Sequence, residues 1–135
     1  MAMANSVKTV SFTNTSDYLI APELAFALPC VIGNTGVTAN TSGRKIIKAG
    51  TPLYIATGKS VLEDRTEVLT VSSADSAVLS GIARHDIDVT DGDVNDAILI
   101  AGYVDLYRLD SAVQTALTSA IKAALTDIKF IKGAK

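Results

Sequence analysis

The sequence predicts a small, mainly β domain, a barrel or sandwich, with one C-terminal helix over residues 111 to about 125 and an extended N-terminal segment. Three observations lead there. Short runs of Val, Ile, Leu, Thr and Tyr recur roughly every eight to twelve residues with Gly, Asn, Asp, Ser or Pro between them, the rhythm of strands and turns in compact β folds. Residues 81–105, GIARHDIDVTDGDVNDAILIAGYVD, read as a central hairpin: a strand-like run, an acidic turn at Asp91-Gly92-Asp93, and an apolar return from Ala97 to Val104. Apolar residues at helical spacing occur only after Asp110.

Bulk properties set the frame. At 135 residues the chain holds one domain with a proper core. A hydrophobic content of 48% with 19% charged residues argues against disorder. The net charge of −2, with no run of like charges, lacks the electrostatic footprint of a nucleic-acid binder. Cys30 is the only cysteine and His85 the only histidine, so an intrachain disulfide is impossible and a Cys/His zinc site is not expected; Cys30 reads as a buried, inert thiol. No stretch has the length or apolarity of a membrane span, about 20 residues, or of a secretory leader, so the chain is expected to stay where it is synthesised and the two Asn-x-Ser/Thr sequons carry little weight.

Taken in order, residues 1–5 are expected to be loose, and Val7 to Phe12 alternates as one strand before Thr13-Asn14-Thr15-Ser16-Asp17 breaks it. Residues 18–20 and 25–32 are apolar, but Pro22 and Pro29 forbid a long helix and favour extended or edge-like backbone. The Gly-, Asn- and Thr-rich 33–43 is a loop, and a boundary is placed there between an N-terminal arm region, 1–43, packed partly on the body, and a β domain, 44–135. Short strands are expected around 45–48 and 53–56, meeting at the Gly50-Thr51-Pro52 bend, then at 61–62, 68–71 and 77–80. Asp110 supplies an N-cap for the helix, whose stripe Val113, Ala116, Leu117, Ala120, Ile121, Ala124 suits packing on a sheet or on a copy of itself. Residues 128–131 form the last strand.

Motifs that would carry chemistry fail on spacing. Gly58-Lys59-Ser60 lacks the glycine a phosphate loop needs five positions earlier, where Leu53 stands. His85-Asp86 has no nucleophile at a recognisable spacing, and strand parity sets His85 with Ala83, Ile87 and Val89 on an apolar face as a structural residue. The carboxylates Asp86, Asp88, Asp91, Asp93 and Asp96 are out of register for a calcium loop, because Ile87 and Val89 occupy the ligand positions before Gly92. They read as a solvated strand face leading into a turn. The aromatics show no stacking-platform spacing.

Four motifs in order are similar to a known family: Ala49-Gly50-Thr51-Pro52, then Gly81-Ile82-Ala83-Arg84-His85-Asp86-Ile87-Asp88-Val89, then Ala101-Gly102-Tyr103-Val104-Asp105, and Ile128-Lys129-Phe130-Ile131. Together they resemble the head decoration (capsid cement) and head fiber-base proteins of tailed bacteriophages, over residues 45–132. The resemblance implies a β-clip-like or β-tulip-like domain, made in the host cytoplasm and bound to the outside of the virion capsid, with the major capsid protein as partner. It also implies a homotrimer that reinforces the head against DNA pressure, with no enzyme activity, cofactor, metal, nucleic acid or membrane involved. A cement binds the assembled lattice and not the free subunit, and so stabilises the assembly by mass action. An arm that adds a strand to a capsid sheet is an economical attachment, and Lys8, Val10 and Phe12 are the contact residues expected for it. His85, Asp86, Asp88, Gly92 and Gly102 are expected to build the structural hairpin. The chain departs from the family in its longer leading segment, 1–43. A carbohydrate- or ligand-binding β-clip module, using Tyr54, Tyr103 or Tyr107, is the alternative from another class; an enzyme is the third, with no acid, base and nucleophile placed together.

Overall fold

The apolar return of the expected hairpin becomes a strand of 12 residues, and the other strands are arranged around it. The computed structural model describes residues 17–57, 59–73 and 77–132. In chain order its strands are β1 (Phe26–Ile32), β2 (Ile46–Ile47), β3 (Pro52–Ile55), β4 (Val68–Thr70), β5 (Val78–Ala83), β6 (Ile87–Asp88), β7 (Val94–Asp105) and β8 (Ile128–Ile131), with helices α1 (Ser111–Ala116) and α2 (Ser119–Ala124) before the last. The main sheet runs β1-β4-β3-β5-β7-β8, and a further antiparallel pairing of β1 with β7 closes its first five strands into a barrel. The fold is therefore mainly β, as the turn rhythm predicts.

Two bulges make the closure possible. Phe26 opposes Ala101 and Ala27 opposes Leu99, which leaves Ile100 unopposed in β7. Leu53 opposes Gly81 and Tyr54 opposes Leu79, which leaves Ser80 unopposed in β5. An extra residue bends its strand and reverses which side chains face inward beyond it. Ile98 accordingly packs inside the barrel, while Leu99 on one side of the bulge and Val104 on the other both pack outside it under the helices. The chain thus has two apolar layers, one inside the barrel around Ile32, Leu53, Ile55, Leu69 and Ile98, and one between the β5–β7–β8 face and the helices around Ile82, Leu99, Val113, Leu117 and Ile128.

Several expectations move in the structure. Residues 18–33 do more than pack on the body: β1 is a stave of the barrel, and Tyr18, Leu19, Cys30 and Ile32 are core residues, so no packing boundary falls at Gly43. Pro29 fits within β1 because β4 joins only at Val31 and Ile32, leaving one side of the strand open at the proline. The single helix is two. Leu117 leaves helical geometry (φ −81°, ψ 78°), and the Thr118 side chain accepts from the Ile121 N–H as the N-cap of α2. The apolar stripe survives the break because Leu117 itself is the buried anchor. Residues 61–62 lie in a turn, where the Ser60 N–H donates to Glu63 Oε1 and only Val61 is buried. The hairpin tip also separates: β5 and β7 pair through Ile82–Leu99 and Ala83–Ile98, but β6 peels away to pair with β2.

Gly81 lies against the backbone of β7. A Cβ there would lie 2.5 Å from the Leu99 carbonyl oxygen, a contact that only movement of backbone can relieve. Gly81→Ala is expected to destabilise the fold by about 1–3 kcal/mol, the usual cost of overpacking a filled site, seen as a lower urea midpoint at unchanged m-value. An unchanged midpoint would show that the two strands are not held this close.

Candidate functional site

The residues expected to matter are spread over three places. Lys8, Val10 and Phe12 lie outside the described residues. His85 is exposed, contrary to the expected apolar placement, because β5 ends at Ala83 and residues 84–86 bend before β6 begins, so strand parity does not carry across. Ala83, Ile87 and Val89 are buried as the pattern requires. Asp86 accepts from the Ala49 N–H at 2.8 Å, tying the β5–β6 bend to the Gly50 turn. Gly92 adopts φ +123° in the acidic turn, and Gly102 adopts φ +150° and is buried beside Ala25.

Asp88 anchors the two-stranded β2–β6 sheet. Its carboxylate accepts from the Thr90 hydroxyl and N–H and from Arg44 Nε at 3.0 Å. The Thr90 bonds, with Arg44 behind them, hold the carboxyl down at about 2. Among the described residues no three of His, Cys, Asp and Glu are grouped to hold a metal ion, and no helix is long and apolar enough to cross a membrane.

A cluster that sequence reasoning did not single out fixes the start of the described chain. Asp17 receives a two-pronged hydrogen bond from Arg84, Nη1 to Oδ1 at 3.0 Å and Nη2 to Oδ2 at 3.1 Å, and its backbone carbonyl accepts from Arg108 Nη1 at 3.2 Å. Arg84 also lies over the Tyr18 ring, 5.6 Å from its centroid. Tyr18 is fully buried and its hydroxyl donates to the Ala83 carbonyl at 2.8 Å. Partial burial works against the charged Asp17 carboxylate, but Arg84 and the Leu19 N–H outweigh it and hold the group below its ordinary value. No local spacing signals this cluster: Arg84 stands 67 residues from Asp17.

Near this anchor, several large apolar side chains are exposed on one face of the sheet. Leu19 bridges Val104, Ile20 N–H bonds to the Tyr103 carbonyl, and on the far edge of β7 Tyr103 pairs with Lys129 and Asp105 with Ile131. Opposed residues share a face, so Ile20, Tyr103 and Ile131 lie together on the side away from the helices, with Phe26 beside Ala101 on the same side and the charged Lys129 and Asp105 among them. Their exposures are 44%, 38%, 38% and 51%. Among the described residues β8 pairs only with β7, so its outer edge is open.

Two clefts lie elsewhere on the surface. One of about 410 Å³ is lined by Thr35, Thr57, Thr66, Glu67 and Thr70, but Glu67 is already held by the Thr57 hydroxyl at 2.8 Å and faces Lys59 at 3.7 Å. A second, of about 270 Å³, is an apolar trough between β2 and α1. Neither is lined by a tyrosine. No protein-family model matches the chain, and neither a curated protein nor a solved structure matches it.

The Asp88 geometry gives a pH prediction. A carboxyl held below its ordinary 3.8 contributes its stabilisation above that value and loses it as pH falls towards 2. The Asp88 carboxyl carbon is therefore expected to titrate near 2 by NMR, and Thr90→Ala to raise that midpoint towards the ordinary value. An ordinary midpoint in the unaltered protein would show that the Thr90 and Arg44 bonds do not form.

Proposed function

We propose that this chain is a non-enzymatic structural protein of a virion. More particularly, it is a capsid decoration protein of a tailed bacteriophage, which binds the assembled major capsid protein from outside and stabilises the head against the pressure of packed DNA. The observation that carries this reading is the meeting of three features among the described residues: exposed apolar side chains on one sheet face, an open edge on β8, and the Asp17–Arg84 anchor close beside them. A protein that attaches by adding or receiving a strand needs these three together, since backbone pairing supplies affinity and alternate side chains supply fit. The family resemblance of residues 45–132 supports the same reading, and a homotrimer is the assembly it implies.

A ligand-binding module is the second reading, favoured only by the threonine-lined cleft around Glu67. Carbohydrate sites commonly add an aromatic platform, and the tyrosines lie elsewhere.

Co-sedimentation with purified, expanded heads tests the proposal. The full chain is expected to pellet with heads at micromolar concentration, and a chain lacking residues 1–12 to bind at least tenfold more weakly while keeping its circular dichroism spectrum. Failure of the full chain to pellet would sink the capsid reading, and unchanged binding by the shortened chain would sink the role of Lys8, Val10 and Phe12.

A further inference from the structure

We propose that the open edge of β8 receives an extended strand of the capsid protein, which sets a carboxylate beside Lys129 and apolar side chains beside Phe130 and Ile131. The partner's identity rests on the decoration reading; the chemistry of the strand follows from the edge itself. The Gly102 N–H donates to the Asp127 carbonyl at 3.2 Å, and Gly102 stands opposite Ile128. In a parallel ladder a residue bonds to the two that flank its opposite number, so 127, 129 and 131 address β7. Phe130 therefore turns its N–H and carbonyl the other way, where among the described residues no strand lies. Outward backbone groups on a sheet edge are a template for a further strand.

Charge decides which strand fits. Lys129 is exposed, and among the described residues no carboxylate pairs with it. Asp105, diagonal to it across the ladder, is held by Arg108 at 3.4 Å and by the Tyr107 N–H at 3.0 Å. Lys132 follows, also exposed, so this edge is basic on a chain whose net charge is −2. A second copy of β8 is a poor occupant for that reason. Any antiparallel register centred on residues 129 to 132 sets a lysine of one copy within two positions of a lysine of the other, and like charges across a strand pair repel. A carboxylate beside Lys129 removes that repulsion and supplies the missing opposite charge.

The neighbouring positions call for apolar side chains. Opposed residues share a face, so a side chain beside Phe130 extends the layer under the helices, which Phe130 already joins, and one beside Ile131 covers a side chain that is 38% exposed. The incoming segment thus reads acid, apolar, apolar in one chain direction or the other. Such pairing takes its affinity from the backbone and its choice of partner from the side chains. A lysine on an edge also discourages self-pairing, and as a guard alone it would make no contact with the head.

Binding of the full chain to purified, expanded heads separates these roles. Lys129→Glu is expected to bind several-fold more weakly than the unaltered chain, and Lys129→Arg to bind as the unaltered chain does, with circular dichroism spectra unchanged in both. Hydrogen exchange followed by mass spectrometry gives a second readout: residues 128–132 are expected to exchange more slowly in the head-bound chain than in the free one. Equal binding by Lys129→Glu, or exchange at 128–132 that heads leave unaltered, would overturn the proposal while leaving the capsid reading in place. Protection of 128–132 in the free chain that is lost on dilution would put a second copy at the edge and overturn it as well. If the unaltered chain does not pellet with heads, the capsid reading falls and this inference falls with it.

Discussion

The antiparallel ladder between β1 and β7 is the constraint from which the rest of the structure follows. Without it the main sheet would be an open, twisted sheet with β1 and β8 at its edges; with it, the first five strands form a closed barrel and, among the described residues, β8 is left as the edge strand. Closure encloses the inner apolar layer on all sides, which is how a chain of this length buries so many aliphatic side chains completely. It also requires β7 to be long. Its first residues meet β1, its middle meets β5 as well, and its last four meet β8 on one edge and residues 18–20 on the other.

The bulge at Ile100 connects closure to the exposed face. Because it reverses the facing of β7, Val104 turns towards the helices and Tyr103 turns away from them. A regular strand would have buried the tyrosine and exposed the valine. The apolar face is thus a consequence of how the barrel closes, and the Asp17–Arg84–Tyr18 cluster fixes the chain at its rim. Tyr18 adds a restraint there: a fully buried ring whose hydroxyl donates to the carbonyl of Ala83, the last residue of β5 and the neighbour of Arg84. Ala83, whose carbonyl accepts that bond, also accepts from the Gly50 N–H, so one residue ties Tyr18, β5 and the turn before β3 together.

Much of this was legible in the residues, and the failures have physical causes. β8 matches its apolar run residue for residue, and β7 encloses the expected 97–104, because dense Ile and Val runs between turn residues leave few alternatives. The helical region lies where its apolar stripe predicts but as two segments, since Thr118 reads as an ordinary helix residue until its hydroxyl is seen to cap the second. Counting in twos puts His85 on the apolar face, which is valid only while a strand is unbroken, and this one stops at Ala83. The candidate face was illegible for a different reason. Ile20, Phe26, Tyr103 and Ile131 come from four stretches of sequence, and nothing local distinguishes an exposed isoleucine from a buried one. Arg84 carried no signal either, its partner being a carboxylate distant in sequence.

The central claim is that residues 26–32 are a stave of the barrel and not part of a detachable arm. Amide hydrogen exchange followed by NMR tests it most directly, because ladder hydrogen bonds inside a closed barrel open only with global unfolding. The amides of β1 that bond to β7 are expected to belong to the slowest-exchanging set, with protection equal to that of Ile98 and Leu99. Exchange of β1 orders of magnitude faster than that of β5 and β7 would contradict closure and restore the view of an N-terminal region merely resting on the body.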